Sequence, residues 1–263
     1  MSKLSLGISS CPNDTFMFAD FVEQYAHEID LRIEDIETLN TLALHEESDV
    51  TKLSYHVWLK LRDKYSLLSS GAAMGENCGP ILISKTRAYP DEVQDMTIAI
   101  PGKMTTASLL LDIFYPQVKA KNVYVFSEIE EAVLDGEVDA GLIIHESRFT
   151  YQDKGLKKIV DLGELWESRY NLPTPLGGIA IHKRVPEAKK QEIDKALHQS
   201  IKRAFARPES AMPFVRKHAL EMKDAVIKKH IQLYVNKYSL GEDDAVRQSV
   251  ERLLEEAKKK GIA

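Results

Sequence analysis

One imidazole stands out in this chain by position. The stretch GLIIHESRFTY runs from Gly141 to Tyr151, and its small and aliphatic residues lead straight into His145 and Glu146. A neutral imidazole is the side chain whose unperturbed pKa suits a general base near neutral pH. The run before it reads as a buried strand, and α/β folds expose reactive groups at the carboxyl ends of strands. Two readings fit His145 from position alone: a general base, or a strand-end histidine bonded to backbone. Glu146 points to the opposite face if the strand continues. The other seven histidines lie mostly on apparent helices and read as surface or packing residues. They show neither HExxH nor any paired-ligand spacing, so no metal is expected.

Three further stretches carry hydroxyls and backbone donors at apparent helix starts. They are SSCPNDT (Ser9 to Thr15), TKLSY (Thr51 to Tyr55) and PGKMTTA (Pro101 to Ala107). A helix N-terminus presents unpaired N–H groups and a positive dipole end, which suits a carboxylate or phosphate. Lys52 and Lys103 could add charge. Plain N-capping by Ser and Thr accounts for any one loop equally well; three in one chain favour an anion site. None is a Walker loop or a dinucleotide fingerprint, and Gly75-x-x-x-Gly79 is too loose to count. Cys11, at a helix start, is open to two readings, a thiolate nucleophile or a small packing residue. There is no GxSxG elbow.

The elements that must position these residues alternate. Lys3 to Ile8 reads as a strand, Phe16 to Ala26 as a helix and Leu31 to Ile36 as a second strand. Helices are expected over Asn40 to Glu47 and Lys52 to Leu61, then a Gly-rich turn, SSGAAMGENCGP, and the strand ILISK. MTIAIPG, Asn122 to Phe126 and EVDAGLII read as strands, with a helix starting in MTTASLLLDIF. Another helix, Glu128 to Leu134, is capped by Ser127 and stopped at Asp135-Gly136. This alternation is the signature of a parallel α/β sheet. Pro173, Pro175, Gly177 and Gly178 mark a break before the strand GGIAIHK. Four amphipathic helices follow: Pro186 to Ala206, Pro208 to His218, Asp224 to Val235 and Asp243 to Lys260. The fold class is therefore α/β in two lobes, divided as 1–88, 89–176 and 177–263, with the last segment packing back on the first lobe.

The bulk numbers leave room for this and little else. The chain has 263 residues, 44% hydrophobic and 29% charged, with a formal net charge of -5. Basic residues are not clustered, so no nucleic-acid partner is expected. No apolar run reaches the roughly 18 residues of a membrane span, so no membrane partner is expected either. Cys11 and Cys78 form neither a disulfide framework nor a zinc spacing. The N-terminus, MSKLSLGISSCPNDTF, lacks the apolar core of a secretory signal, and a cytoplasmic location is the expectation. Oligomeric state is left open.

SCPNDTF at Ser10 to Phe16, EDIETLN at Glu34 to Asn40, TKLSY, PGKMTTA and EVDAGLIIHESRFTY at Glu137 to Tyr151 together resemble the 1,4-dihydroxy-6-naphthoate synthase family of the futalosine route to menaquinone. The resemblance spans nearly the whole chain, and SCPNDTF and HESRFTY are its most specific stretches. The sister family, chorismate dehydratase, is less similar at both. The resemblance implies a type II periplasmic binding protein-like fold, two α/β lobes with a ligand cleft between them. It implies a lyase that turns cyclic dehypoxanthinyl futalosine into 1,4-dihydroxy-6-naphthoate and dihydroxyacetone, without metal or redox cofactor. His145 is then the proton acceptor, and Lys52, Leu53, Ser54, Thr106 and Ala107 are substrate contacts. Asn13 and Asp14 are placed beside them. Two rivals stand against this: a non-catalytic module that binds a small carboxylate, and chorismate dehydratase itself.

Overall fold

Val50–Ser54 is buried without a break and forms a strand, where the sequence reading starts a helix at Lys52. A run buried on both faces belongs at the centre of a sheet, and the strand order shows why. The computed structural model, which describes residues 3–219, 223–241 and 243–262, folds as two α/β units. The first is Met1–Met74 with Gly177–Arg247, and the second is Gly75–Leu176 with Gln248–Ala263. The expected division after residue 88 falls earlier in this partition, between Met74 and Gly75. Met1 and Ala263, the outer limits of the expected divisions, lie outside the described residues.

The chain runs through β1 (Leu4–Ser9), α1 (Pro12–Tyr25), β2 (Ile29–Glu34), α2 (Ile36–Leu44), β3 (Val50–Ser54), α3 (Tyr55–Lys60), β4 (Tyr65–Leu67) and β5 (Ala73–Gly75). Next come β6 (Ile81–Ser84), β7 (Ile98–Ile100), α4 (Thr106–Phe114), β8 (Lys121–Val123), α5 (Ile129–Asp135), β9 (Ala140–Ile143), a 3₁₀ turn (His145–Phe149), β10 (Lys157–Asp161) and α6 (Leu162–Tyr170). The strand β11 (Thr174–His182) leads back to the first unit, followed by α7 (Glu187–Ala206), α8 (Pro208–His218), α9 (Asp224–Tyr234) and α10 (Asp244–Lys259).

In the first unit the sheet order is β2-β1-β3-β11-β4, with β5 off this path beside β11. β1 pairs in parallel with β2 and β3, whereas β11 runs antiparallel to β3 and β4. β3 therefore has a neighbour on each side, which explains its complete burial. Leu6, Ile8, Ile179 and Ile181 from the sheet share one core with Phe16 and Phe21 of α1, Leu197 and Ile201 of α7, Val215 of α8 and Ile227 of α9. The expected break at Pro173–Gly178 lies largely inside β11. Its pairing with β3 begins only at Gly177, so the missing N–H of Pro175 costs that ladder nothing.

The second unit carries a five-stranded sheet in the order β10-β6-β9-β7-β8. The parallel sheet read from the sequence holds for β9, β7 and β8; β6 runs antiparallel to β9 and to β10. Ile81, Ile83, Ala99 and Ile143 pack with Ile129 and Val133 of α5. Ser127 does not cap α5: the cap position is Glu128, which makes no side-chain cap bond, while Gly136 ends the helix at φ 77° as expected. β10 and α6 have no counterpart in the sequence reading. β10 opens on two exposed lysines, which mask its apolar part. α10 was expected against the first unit, but from Gln248 onward it belongs to the second. There Arg252 lies 5.6 Å over the ring of Tyr170. Among the described residues no helix is long and apolar enough to cross a membrane.

Candidate active-site residues

In the first unit the expected site residues lie where two parallel neighbours end. β1 stops at Ser9 and β3 at Ser54, so the segments after them leave the same end of the sheet. Pro12 sits at the first position of α1, its fixed φ suited to a helix start. The helix thus begins within SSCPNDT and not after it, and Asn13 and Asp14 fall in its first turn. Asp14 is fully buried. Its Oδ2 accepts from the Ser9 hydroxyl at 2.6 Å and the Ser9 amide at 3.3 Å. Its Oδ1 accepts from Asn13 Nδ2 at 2.8 Å and from Lys52 Nζ at 2.9 Å. Lys52 and Asp14 make a buried ion pair whose side chains are 7% and 0% exposed. Asn13 Oδ1 in turn lies 3.0 Å from Nε2 of the buried His230 on α9.

These contacts change the picture of Lys52. The expected anion-binding charge is already neutralised by Asp14, so the pair presents a fixed polar surface and not a bare cation. Lys52 is further confined by β11, because a Cβ on Gly177 would meet Leu53 O at 2.6 Å and Lys52 Cε at 3.3 Å. Ser54 is held by a reciprocal pair: its amide donates to Asn40 Oδ1 at 3.0 Å, and Asn40 Nδ2 donates to Ser54 Oγ at 3.1 Å. Asn40 is placed by α2, which Asp35 caps through the amides of Glu37 and Thr38. Leu53 is fully buried, and Cys11 is 5% exposed, in keeping with a packing role.

In the second unit the pattern repeats. β7 and β9 are parallel neighbours, so the segments carrying Thr105–Ala107 and His145 leave the same end of that sheet. Thr105 caps α4, accepting from the Ser108 amide at 3.2 Å. The hydroxyls of Thr105 and Ser108 both donate to Gly102 O, at 2.9 and 2.6 Å. Thr106 donates its hydroxyl to Leu176 O at 2.5 Å. The amide of Ala107 lies in the first turn, at the positive end of the helix dipole. Lys103, expected to add charge, is exposed.

β9 stops at Ile143, so Glu146 is not set on an opposite strand face. His145 opens a 3₁₀ turn with φ 58°, the left-handed region that costs a non-glycine residue about 1–2 kcal/mol. Its ring meets Phe126 edge to face, with centroids 4.8 Å apart. Two bonded groups hold the turn. Ser147 donates to Glu130 Oε2 at 3.3 Å, and Lys154 donates to the same oxygen at 2.8 Å. Arg148 donates through NH1 to Gly79 O at 2.7 Å and through NH2 to Asp161 Oδ2 at 3.1 Å. Asp161 Oδ1 caps α6 on the Gly163 amide at 2.8 Å. Burial raises the Asp161 carboxyl above its ordinary range, and the Arg148 charge opposes that rise. Beside this cluster, burial pushes the Cys78 thiol up to about 11.

Each unit therefore gathers its own share of the expected residues: Asn13, Asp14, Lys52, Leu53 and Ser54 in one, Thr106, Ala107 and His145 in the other. Ser9 falls in the expected SSCPNDT stretch, whereas the supports Asn40, His230, Phe126, Arg148 and Asp161 were not singled out from sequence. Arg148 was the most findable, three residues after His145 in the same motif.

Comparison with known proteins agrees with this architecture. A family model described as Menaquinone biosynthesis matches residues 4–259. The 1,4-dihydroxy-6-naphthoate synthase of Thermus thermophilus is 41% identical over 266 residues, covering 100% of this chain and 97% of that protein. The crystal structure of protein AF1704 from Archaeoglobus fulgidus superposes with a TM-score of 0.92 at 35% identity, covering 99% of this chain and 98% of the other. The alkanesulfonate-binding protein SsuA from Xanthomonas axonopodis superposes with a TM-score of 0.75 at 11% identity, over 100% and 94% of the two chains. The last likeness identifies the fold as that of periplasmic binding proteins.

Proposed function

The chain belongs to the menaquinone-biosynthesis family, and from that premise we propose that it is a carbon–carbon lyase with 1,4-dihydroxy-6-naphthoate synthase activity, using His145 as its base. The substrate is cyclic dehypoxanthinyl futalosine, a ring fused to a benzoate, and the products are 1,4-dihydroxy-6-naphthoate and dihydroxyacetone. A cytoplasmic place of work fits a biosynthetic enzyme.

The observation that carries the role of His145 is its backbone. The histidine is held at φ 58° just beyond the end of β9, with its ring against Phe126, at the strand end where α/β folds place reactive groups. The turn lifts the imidazole clear of the strand ladder. The base takes a hydroxyl proton from the substrate, the oxygen's electron pair forms a carbonyl, and the neighbouring carbon–carbon bond breaks. The ring that keeps the bond's electrons becomes aromatic, which drives the step. Thr106 and the Ala107 amide, which leave the same sheet end as His145, orient the substrate and stabilise its charge; Lys52, Leu53 and Ser54 are proposed as substrate contacts of their own unit, Lys52 as a neutralised polar contact held by Asp14. Asp14 and Asn13 act behind Lys52, keeping its ammonium in place.

The test is a product assay. The purified chain is incubated with cyclic dehypoxanthinyl futalosine and 1,4-dihydroxy-6-naphthoate is followed by mass and fluorescence. His145→Asn is the comparison, because Asn accepts the left-handed backbone and should leave the fold intact. Turnover in that variant should fall about 100-fold or more. Rates near wild type in His145→Asn would overturn the base assignment. Tight binding with no product from the wild-type chain would make the protein a carboxylate-binding module instead.

A further inference from the structure

We infer that Arg148 is a positioning residue for His145, acting through Asp161 and Gly79; the inference rests on the reading of His145 as the base. The guanidinium is carried three residues beyond the imidazole, within the same short turn from His145 to Phe149. It reaches two acceptors from different elements. One is Gly79 O, in the segment before β6, and the other is Asp161 Oδ2, at the end of β10. β6 lies between β10 and β9 in the sheet, and β9 leads into the turn. One side chain thus ties the turn to the segment before the neighbouring strand β6 and to the end of β10, the strand beyond it.

Why the tie is needed follows from the backbone. A left-handed histidine persists only where its surroundings over-determine it. On the other side the turn is secured by Ser147 to Glu130, a longer bond at 3.3 Å. Asp161 is itself locked, because its second oxygen caps α6. The Arg148–Asp161 pair is 14% and 1% exposed, so solvent screens it little. Lysine would have to reach both acceptors from a single point on a flexible stem, without the rigid planar fork that separates the two guanidinium donors.

Three variants test the inference: Arg148→Met, Asp161→Asn and the double variant. Arg148→Met alone leaves the Asp161 charge buried and unpaired, so it loses stability for reasons unrelated to His145. The double variant removes both charges, keeps an acceptor for the α6 cap, and should recover most of the melting temperature. Its kcat should stay down by about tenfold to 100-fold with KM within about threefold, the effect of a misplaced base. A second readout needs no substrate. In protein labelled with ¹³C at histidine, the His145 ring signal, assigned by its absence in His145→Asn, should carry a ring-current shift from Phe126. That shift should collapse in the double variant and persist in a control, Lys158→Met. A double variant with wild-type kcat and an unchanged His145 signal overturns the inference. A collapsed signal with wild-type kcat instead overturns the reading of His145 as base, and with it any catalytic role for Arg148.

Discussion

The Lys52 ammonium lies 2.9 Å from Asp14 Oδ1 in a pair that is almost wholly buried. Such a pair is weak evidence of stability in itself, but breaking it is expensive. Its geometry comes from two elements far apart in sequence, the first turn of α1 and the middle of β3. The same carboxylate also gathers Ser9 and Asn13.

Removing one partner should therefore hurt more than removing both. Asp14→Ala leaves a buried ammonium and should cost about 3–5 kcal/mol in urea unfolding. Asp14→Ala combined with Lys52→Met should cost less than the sum of the two single changes, by about 1–3 kcal/mol. Strict additivity would show that the two side chains do not interact in solution.

Thr106→Val deletes the hydroxyl that donates to Leu176 O. If Thr106 also meets substrate, KM should rise about fivefold or more while kcat changes little. Steady-state kinetics on the synthase reaction decide it, and an unchanged KM removes Thr106 from the binding surface.

Gly163 is a steric requirement. A Cβ there would lie 2.1 Å from the Cys78 carbonyl carbon and 2.4 Å from the Gly79 amide nitrogen. Gly163→Ala should cost about 1–3 kcal/mol by overpacking, read from thermal or urea unfolding. It should also lower kcat, because the displaced segment contains the carbonyl that Arg148 holds. A fully stable and active Gly163→Ala would show that the 78–79 segment yields without consequence.

Alkaline pH should weaken the fold in a way traceable to Cys78. Its thiol titrates near 9.0 when unfolded and at about 11 when folded, because burial disfavours the thiolate. Between those values the folded state holds a proton that the unfolded state has released, so stability falls as pH rises through the window. The shift is worth about 3 kcal/mol once pH exceeds both values. Tyr65, raised to about 12 with burial the largest cause, adds a loss in the same direction at higher pH. Urea unfolding from pH 8 to 11 should show a shallower decline in Cys78→Ala than in wild type. Parallel curves would mean that Cys78 does not titrate as described.

The sequence disclosed the elements with clear periodicity and strong punctuation. The α8 bounds and the glycine that ends α5 come straight from Pro208 and Gly136. β3 was misread because Thr51, Lys52 and Ser54 look polar and helix-capping. Nothing local shows that Asp14 and Asn40 wait to satisfy them. β10 was lost for the opposite reason, since its paired lysines disguise a strand whose last three residues are buried. Of the site, motif likeness and strand-end position pointed to His145. The turn that follows, and the partners of Arg148 at Gly79 and Asp161, depend on strand order, and strand order is set by long-range pairing.

The path of the chain has a consequence for its synthesis. β11 emerges about 120 residues after β3 yet must slide in between β3 and β4. Until then a nascent chain on the ribosome carries two unmatched strand edges in its first unit, an invitation to wrong partners. The second unit waits longer still, for the helical residues from Gln248. Both units thus mature late, and a stalled or truncated product is more exposed to holding chaperones and proteases than its well-filled cores suggest.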